Sequence, residues 1–185
     1  MLVSEMFYTL QGEGFYTGVP SVFIRTSGCN LRCHFCDTAY TSWWTEGTKK
    51  KVNSVIDEMY ETWGFIKHIV ITGGEPTIQK QLPILVDELE GKGHLVTIET
   101  NGTNFREDLR PSLFSISPKT SNSIPSVDKH PKDVESWEFE RDLHIKNNDL
   151  SDLKKYVECG IQYQMKFVTV DDSDLTEIKE IIKET

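Results

Sequence analysis

Cys29, Cys33 and Cys36 stand in the stretch Gly28-Cys29-Asn30-Leu31-Arg32-Cys33-His34-Phe35-Cys36-Asp37-Thr38, at C-x3-C-x2-C spacing. One short loop can wrap that spacing around a single inorganic centre, and thiols so crowded cannot form independent disulfides. Iron-sulfur clusters are held by cysteine thiolates, and a four-iron cubane normally takes four of them. Three would leave one iron open to an external ligand, by the logic that separates catalytic from closed metal sites. The same residues also suit a zinc knuckle completed by His34 or by distant Cys159, or a redox C-x-x-C at Cys33 and Cys36.

Other polar clusters punctuate the chain: Gln11-Gly12-Glu13-Gly14, Gly73-Gly74-Glu75-Pro76, Asn101-Gly102 and Ser117-Pro118-Lys119. Two glycines around Glu13 let the backbone approach a ligand closely, although an ordinary glycine turn also accounts for them. The elements that must position these clusters follow from periodicity and turn chemistry. Strands are expected at Leu2 to Leu10, Ser21 to Thr26, His68 to Thr72, His94 to Thr100, Leu113 to Ile116 and Tyr163 to Val170. Helices are expected at Val52 to Trp63, Gln81 to Glu90, Leu150 to Cys159 and Asp174 to Lys183. Alternating strands and helices imply parallel β-α units with right-handed crossovers. In such sheets ligands gather at the carboxyl ends of strands. Gln11 then follows strand one, the cysteines strand two, Gly73 strand three, Asn101 strand four and Ser117 strand five, so every cluster falls on one edge.

With 185 residues the chain reads as one domain, 1–185, with a polar, irregular insertion at about 120–149 that carries a helix near Ser136 to Asp142. A net charge of −9 argues against a broad phosphate-binding surface, so no nucleic-acid partner is expected. The Lys49-Lys50-Lys51 run reads as a solvated entry to a helix. No apolar run approaches the roughly 18 residues of a membrane span. Four cysteines, three of them clustered, suit a reducing compartment, and the expectation is a cytoplasmic protein with no membrane partner.

Taken together, Phe7-Tyr8-Thr9-Leu10-Gln11-Gly12-Glu13-Gly14, the loop ending Cys36-Asp37-Thr38, Thr72-Gly73-Gly74-Glu75-Pro76, Glu99-Thr100-Asn101-Gly102-Thr103 and Ser117-Pro118-Lys119 resemble the 7-carboxy-7-deazaguanine synthase family of radical S-adenosylmethionine (SAM) enzymes. The resemblance runs from about Leu2 to Ile182. It implies an α/β fold, a truncated, partial (β/α) barrel with a mainly parallel sheet. It further implies a [4Fe-4S] cluster on Cys29, Cys33 and Cys36, and SAM bound by Phe35, Asp37, Gly74, Ser117 and Lys119. The implied substrate is 6-carboxy-5,6,7,8-tetrahydropterin, held by Leu10, Gln11, Gly12, Arg25 and Thr72, with Thr38 on a Mg²⁺ that also touches the substrate carboxylate. The implied reaction is hydrogen abstraction, ring contraction and ammonia loss, giving a deazapurine of the queuosine route. An electron donor such as a flavodoxin or ferredoxin and a homodimer complete the implied partners.

Physical chemistry qualifies several of these roles. Arg25 would be costly if buried alone, so a carboxylate partner is expected: the substrate's, or that of Glu13, Glu75 or Glu99. A lone threonine hydroxyl is a weak Mg²⁺ ligand, so the ion should bind well only with substrate present. Gly73-Gly74 permits backbone contact with the amino end of SAM, where Glu75 can accept a hydrogen bond. Lys119 could neutralise a carboxylate or sit on the surface, Glu99 and Lys166 are unassigned candidates, and Cys159 reads as an inert core thiol. Family members generally continue past the terminal helix, whereas this sequence stops at Thr185, and the pattern also departs after Ser123. The rivals are an activase of a glycyl-radical enzyme and a zinc-binding interaction module.

Overall fold

The computed structural model describes residues 1–132 and 135–185. Nine-residue strand β1 (Leu2–Leu10) pairs antiparallel with β2 (Pro20–Thr26) and, on its other side, with the short β3 (Thr48–Lys49). From β2 onward every neighbour is parallel: β4 (His68–Gly73), β5 (Leu95–Thr100), β6 (Leu113–Ile116) and β7 (Tyr163–Met165). The order β3-β1-β2-β4-β5-β6-β7 leaves β3 and β7 as free edges, so the barrel is open and the sheet mainly parallel, as expected.

Helices α2 (Val52–Trp63) and α3 (Leu82–Gly91) cover one face of this sheet. Val55, Ile56 and Met59 of α2 and Leu82, Leu85, Val86 and Leu89 of α3 pack in one cluster with Ile24, Ile71, Ile98 and Phe114. Gly64, with φ of 67°, ends α2 in a conformation that a side chain would strain. Strand alternation sends the intervening residues, Phe23, Arg25, Thr72, Glu99 and Ser115, to the opposite, concave face. β4 is buried along its whole apolar run, yet one of its faces meets helices and the other a cavity.

The remaining helices are α1 (Ala39–Ser42), α4 (Trp137–Asn147), α5 (Leu153–Glu158) and α6 (Asp172–Glu184). An Asp171–Asp174 capping box opens α6, two residues earlier than periodicity suggested. α4 runs to Asn147, past the expected Asp142, because its one buried side chain is His144, and no apolar stripe announces it. Asp152 opens α5 late, its carboxylate accepting from the Phe105 amide at 2.9 Å. β7 stops at Met165, short of Val170: the chain leaves the sheet, and the Val168 carbonyl accepts from Asn122 Nδ2 at 2.9 Å. Lys49 lies in β3, and only Lys51 serves as the entry to α2.

The expectation that all loops share one edge needs one correction. The connection Gln11–Val19 is shorter than the dozen or so residues a parallel crossover requires. β1 therefore runs backwards, and its carboxyl end lies at the opposite edge from the cysteines.

Candidate active site

The cysteine loop follows β2 and contains neither helix nor strand, so its backbone groups must find partners elsewhere. Cys29, Cys33 and Cys36 all line one cavity of about 600 Å³ on the concave side of the sheet. Burial, reinforced by the nearby charge of Glu75, pushes the Cys29 thiol up to about 12. Burial likewise raises Cys33 to about 11. As free thiols they are protonated, and loading a cationic cluster would have to displace those protons. The Leu31 amide points at Cys29 Sγ from 3.4 Å, and the Ser42 hydroxyl at Cys36 Sγ from 3.2 Å. Such donors are what cluster sulfurs accept, and they help set reduction potential.

Three thiols on one cavity wall, with N–H and O–H donors aimed at two of their sulfurs, are a donor set that fits a cluster. No group of three or more His, Cys, Asp or Glu side chains suited to one metal ion occurs among the described residues. The His34 ring is instead held by the Asn122 carbonyl at 2.8 Å. Cys159 donates to the Tyr156 carbonyl at 3.1 Å and packs against the core, outside the cavity lining.

The end of β4 is stitched to this loop. The Gly74 amide donates to the Thr26 carbonyl at 3.1 Å and the Glu75 amide to the Gly28 carbonyl at 2.8 Å. A Cβ on Gly73 would run into the Thr26 carbonyl, and one on Gly74 into that of Gly28. The fold alone thus demands both glycines, whatever Gly74 contributes to a ligand.

Glu75 does not face the cavity. It is fully buried, and Oε1 accepts from the Thr77 amide and hydroxyl and from the Thr100 hydroxyl, while Oε2 accepts from the Asn101 amide at 2.7 Å. Burial pushes its carboxyl above the usual range against the pull of these donors. Glu75 ties the turns after β4 and β5 together, and Asn101 passes the connection on to Asn30 Oδ1 at 3.0 Å. Each Glu75 oxygen thus already accepts from protein donors, whether or not it also accepts from a ligand amine.

Arg25 does find a carboxylate, but a different one. Its Nε lies 2.8 Å from Glu5 Oε1, directly across the antiparallel pair, and Tyr40 donates to the same oxygen at 2.7 Å. The Phe7 ring lies beneath the guanidinium at 5.4 Å. A parallel β1 would not bring Glu5 here; the short connection to β2 is the sequence signal that puts Glu5 beside Arg25. With side-chain exposures of 18% for Arg25 and 43% for Glu5, the pair is half in water, and Arg25 keeps donors facing the cavity.

Deeper in the concavity, Glu99 accepts from Thr72 Oγ1 at 2.8 Å and from Gln11 Nε2 at 3.1 Å. Lys166 lies 3.9 Å from Glu99 and 2.6 Å from Glu13, whose carboxyl it holds below the ordinary range by hydrogen bonding and charge. Gln11 and Glu13 reach this site although their strand ends at the far edge, because Gln11–Val19 folds under the concave face as a strap. The Phe15 amide donates to Gln164 Oε1 on β7 at 2.7 Å, and Gln164 Nε2 donates to Ser115 at 2.9 Å. Beneath, His68 bridges Ser21 at 2.7 Å and Thr97 at 2.8 Å, and burial lowers its pKa to about 4.

Of the residues singled out in the sequence, the cavity also draws Phe35, Asp37, Thr38, Gly12, Ser117 and Lys119 to its lining, with Lys119 Nζ on Ser117 Oγ at 2.7 Å. Leu10 stays outside: the residue is 58% exposed at the end of β1. Thr38 makes no side-chain cap to α1, and its hydroxyl sits 3.7 Å from Cys36 Sγ. With Asp37 as the adjacent carboxylate, Thr38 offers too few oxygens to hold Mg²⁺ unaided.

Residues 23–131 match the family model of the radical SAM superfamily. A 7-carboxy-7-deazaguanine synthase from Rhodopirellula baltica is 42% identical over 184 residues, covering 100% of this chain and 68% of that protein. Another, from Halobacterium salinarum, is 40% identical over 98% of this chain and 69% of its own length. The crystal structure of QueE from Escherichia coli superposes with a TM-score of 0.56 at 25% identity, over 99% of this chain and 90% of that one. Archaeal TYW1, at 15% identity and a TM-score of 0.56, shares the fold.

Proposed function

Because the chain belongs to the radical SAM superfamily and, within it, to the 7-carboxy-7-deazaguanine synthase family, we propose that it converts 6-carboxy-5,6,7,8-tetrahydropterin to 7-carboxy-7-deazaguanine, with loss of ammonia. The observation that carries this reading is the convergence of the three thiols with Arg25, Thr72, Glu99 and Lys166 on one cavity. Because that cavity draws on residues from Phe7 to Val168, 1–185 is taken as one working unit.

Cys29, Cys33 and Cys36 would hold the [4Fe-4S] cluster, and Phe35, Asp37, Gly74, Ser117 and Lys119 would bind SAM beside it. When bound, these two groups supply abstraction of a hydrogen atom from an unactivated carbon. Everything else falls to the chain's own side chains, which must orient the substrate and keep water out. Arg25, pinned from one side by Glu5, would offer its remaining N–H groups to the substrate carboxylate as a charge-assisted pair. Thr72 and Gln11 already spend donors on Glu99, which fixes the carboxylate as an acceptor facing the cavity. An acceptor there suits the N–H groups of a pterin ring, with Gly12 contributing backbone. Lys166, shared between Glu13 and Glu99, is a proton source within the same cavity for a leaving amine. Thr38 would bind Mg²⁺ only together with the substrate's own carboxylate oxygens. A small-protein reductant, a homodimer and a cytoplasmic setting belong to the same proposal; no helix among the described residues is long and apolar enough to cross a membrane.

The decisive experiment is anaerobic incubation of the reconstituted protein with reductant, SAM and the carboxypterin, followed by mass spectrometry. Formation of the deazapurine is expected. SAM cleavage without that product would remove the substrate and leave the cluster chemistry standing.

A further inference from the structure

The cysteine loop has few internal hydrogen bonds, yet three of its backbone groups are tied to a region that the superfamily match, ending at residue 131, only partly contains. The Arg32 amide donates to His144 Nδ1 at 3.0 Å, and Asn147 Nδ2 donates to the Asn30 carbonyl at 2.8 Å. Both partners lie on α4, beyond that match. The His34 amide donates to the Ser123 carbonyl at 3.0 Å, in the short turn Ser121–Ser123. Glu140, also on α4, lies 2.8 Å from Arg32 Nε. Residues 30, 32 and 34 are thus anchored between and beside the three thiols.

His144 is the centre of this arrangement, and its hydrogen bonds have a definite direction. An amide donor at Nδ1 requires that nitrogen to be bare, so Nε2 carries the hydrogen and donates to Ser123 Oγ at 3.0 Å. The Ser123 hydroxyl passes its own hydrogen to the Thr120 carbonyl at 2.7 Å. The chain from Arg32 to Thr120 is therefore fully satisfied. His144 is also the one buried residue of α4, so this helix docks through polar contacts to the cysteine loop instead of through apolar area.

We propose that α4 and the turn Ser121–Ser123 form a template that holds the cysteine loop in its ligating shape before any metal arrives, with His144 as the positioning residue. The proposal rests on the cluster reading, since a loop with nothing to ligate needs no such template. Supporting partners of this kind typically govern how tightly a metal is kept.

The test compares wild type with His144→Ala, His144→Asn and Asn147→Ala. Asparagine places a carbonyl oxygen close to the position of Nδ1, so it keeps an acceptor for the Arg32 amide. Iron release to a chelator from the anaerobically reconstituted proteins is one readout. Amide hydrogen exchange of residues 30–34 in the metal-free proteins is the other. His144→Ala should speed both by about tenfold, Asn147→Ala by about threefold, and His144→Asn should stay within about threefold of wild type. Wild-type release and exchange in both alanine variants would overturn the proposal, as would an asparagine variant as fast as alanine. If His144→Ala does not fold, Asn147→Ala decides by the same readouts. If wild type assembles no cluster, the cluster reading fails separately, and the exchange measurement still decides whether the loop is held.

Discussion

The two faces of the sheet are built from alternate residues of the same strands, yet they obey different rules. Toward the helices stand Val22, Ile24, Ile69, Ile71, Val96, Ile98, Phe114 and Ile116, all completely buried and all apolar. One residue away along each strand, toward the cavity, stand Arg25, Thr72, Thr97, Glu99 and Ser115. The first face is satisfied by area alone. The second needs directed partners for every group, and Glu99 with Thr72 and Gln11, or His68 with Ser21 and Thr97, shows how those partners are found across strands. Stability and chemistry are thus separated by a half-turn of backbone.

That separation can be broken from either side. On the cavity face, Cys33→Ala should lower deazapurine formation by at least ~1,000-fold while leaving the thermal melt of the metal-free protein nearly unchanged. Product assay and calorimetry together check it; a collapsed melt would mean that the faces are not independent. On the helix face, Ile98→Ala should cost about 3 kcal/mol by denaturant titration through lost transfer energy and a cavity. Arg25→Gln should weaken the carboxypterin by about thirtyfold, seen as a raised KM, because a charge-assisted pair is replaced by a neutral contact. Glu5→Gln should produce the same effect more weakly, since it only loosens the arginine.

The last effect concerns pH. His68 titrates near 4 in the folded protein and near 6.5 when unfolded, so below pH 6.5 the unfolded chain binds more protons. Stability should therefore fall as pH drops from about 6.5 toward about 4, and this contribution should level off below. His68→Gln, followed by denaturant titration of the metal-free protein across that range, should flatten the slope without altering stability's direction of change elsewhere.

Much of the helix face was legible in the sequence, because apolar periodicity dictates it: α2 fell where Val52 to Trp63 placed it, and β4, β5 and β6 lie within a residue of expectation. The open α/β barrel and the family were equally readable from the motifs. The cavity face was harder, since polar residues carry no period. Glu75 has the sequence context of a ligand and the surroundings of a structural brace. Glu5 is paired with Arg25 only by the direction of β1, which no residue pattern announces. His144 sits on a helix with no apolar stripe, so only the backbone amide it accepts from reveals its place.

The strap Gln11–Val19 starts at one margin of an open sheet, and its Phe15 amide is fastened to Gln164 near the other. It lies as a tie-rod across a split cylinder. A connection that contributes no thiol and belongs to no helix-covered layer thus links strands from opposite ends of the sheet.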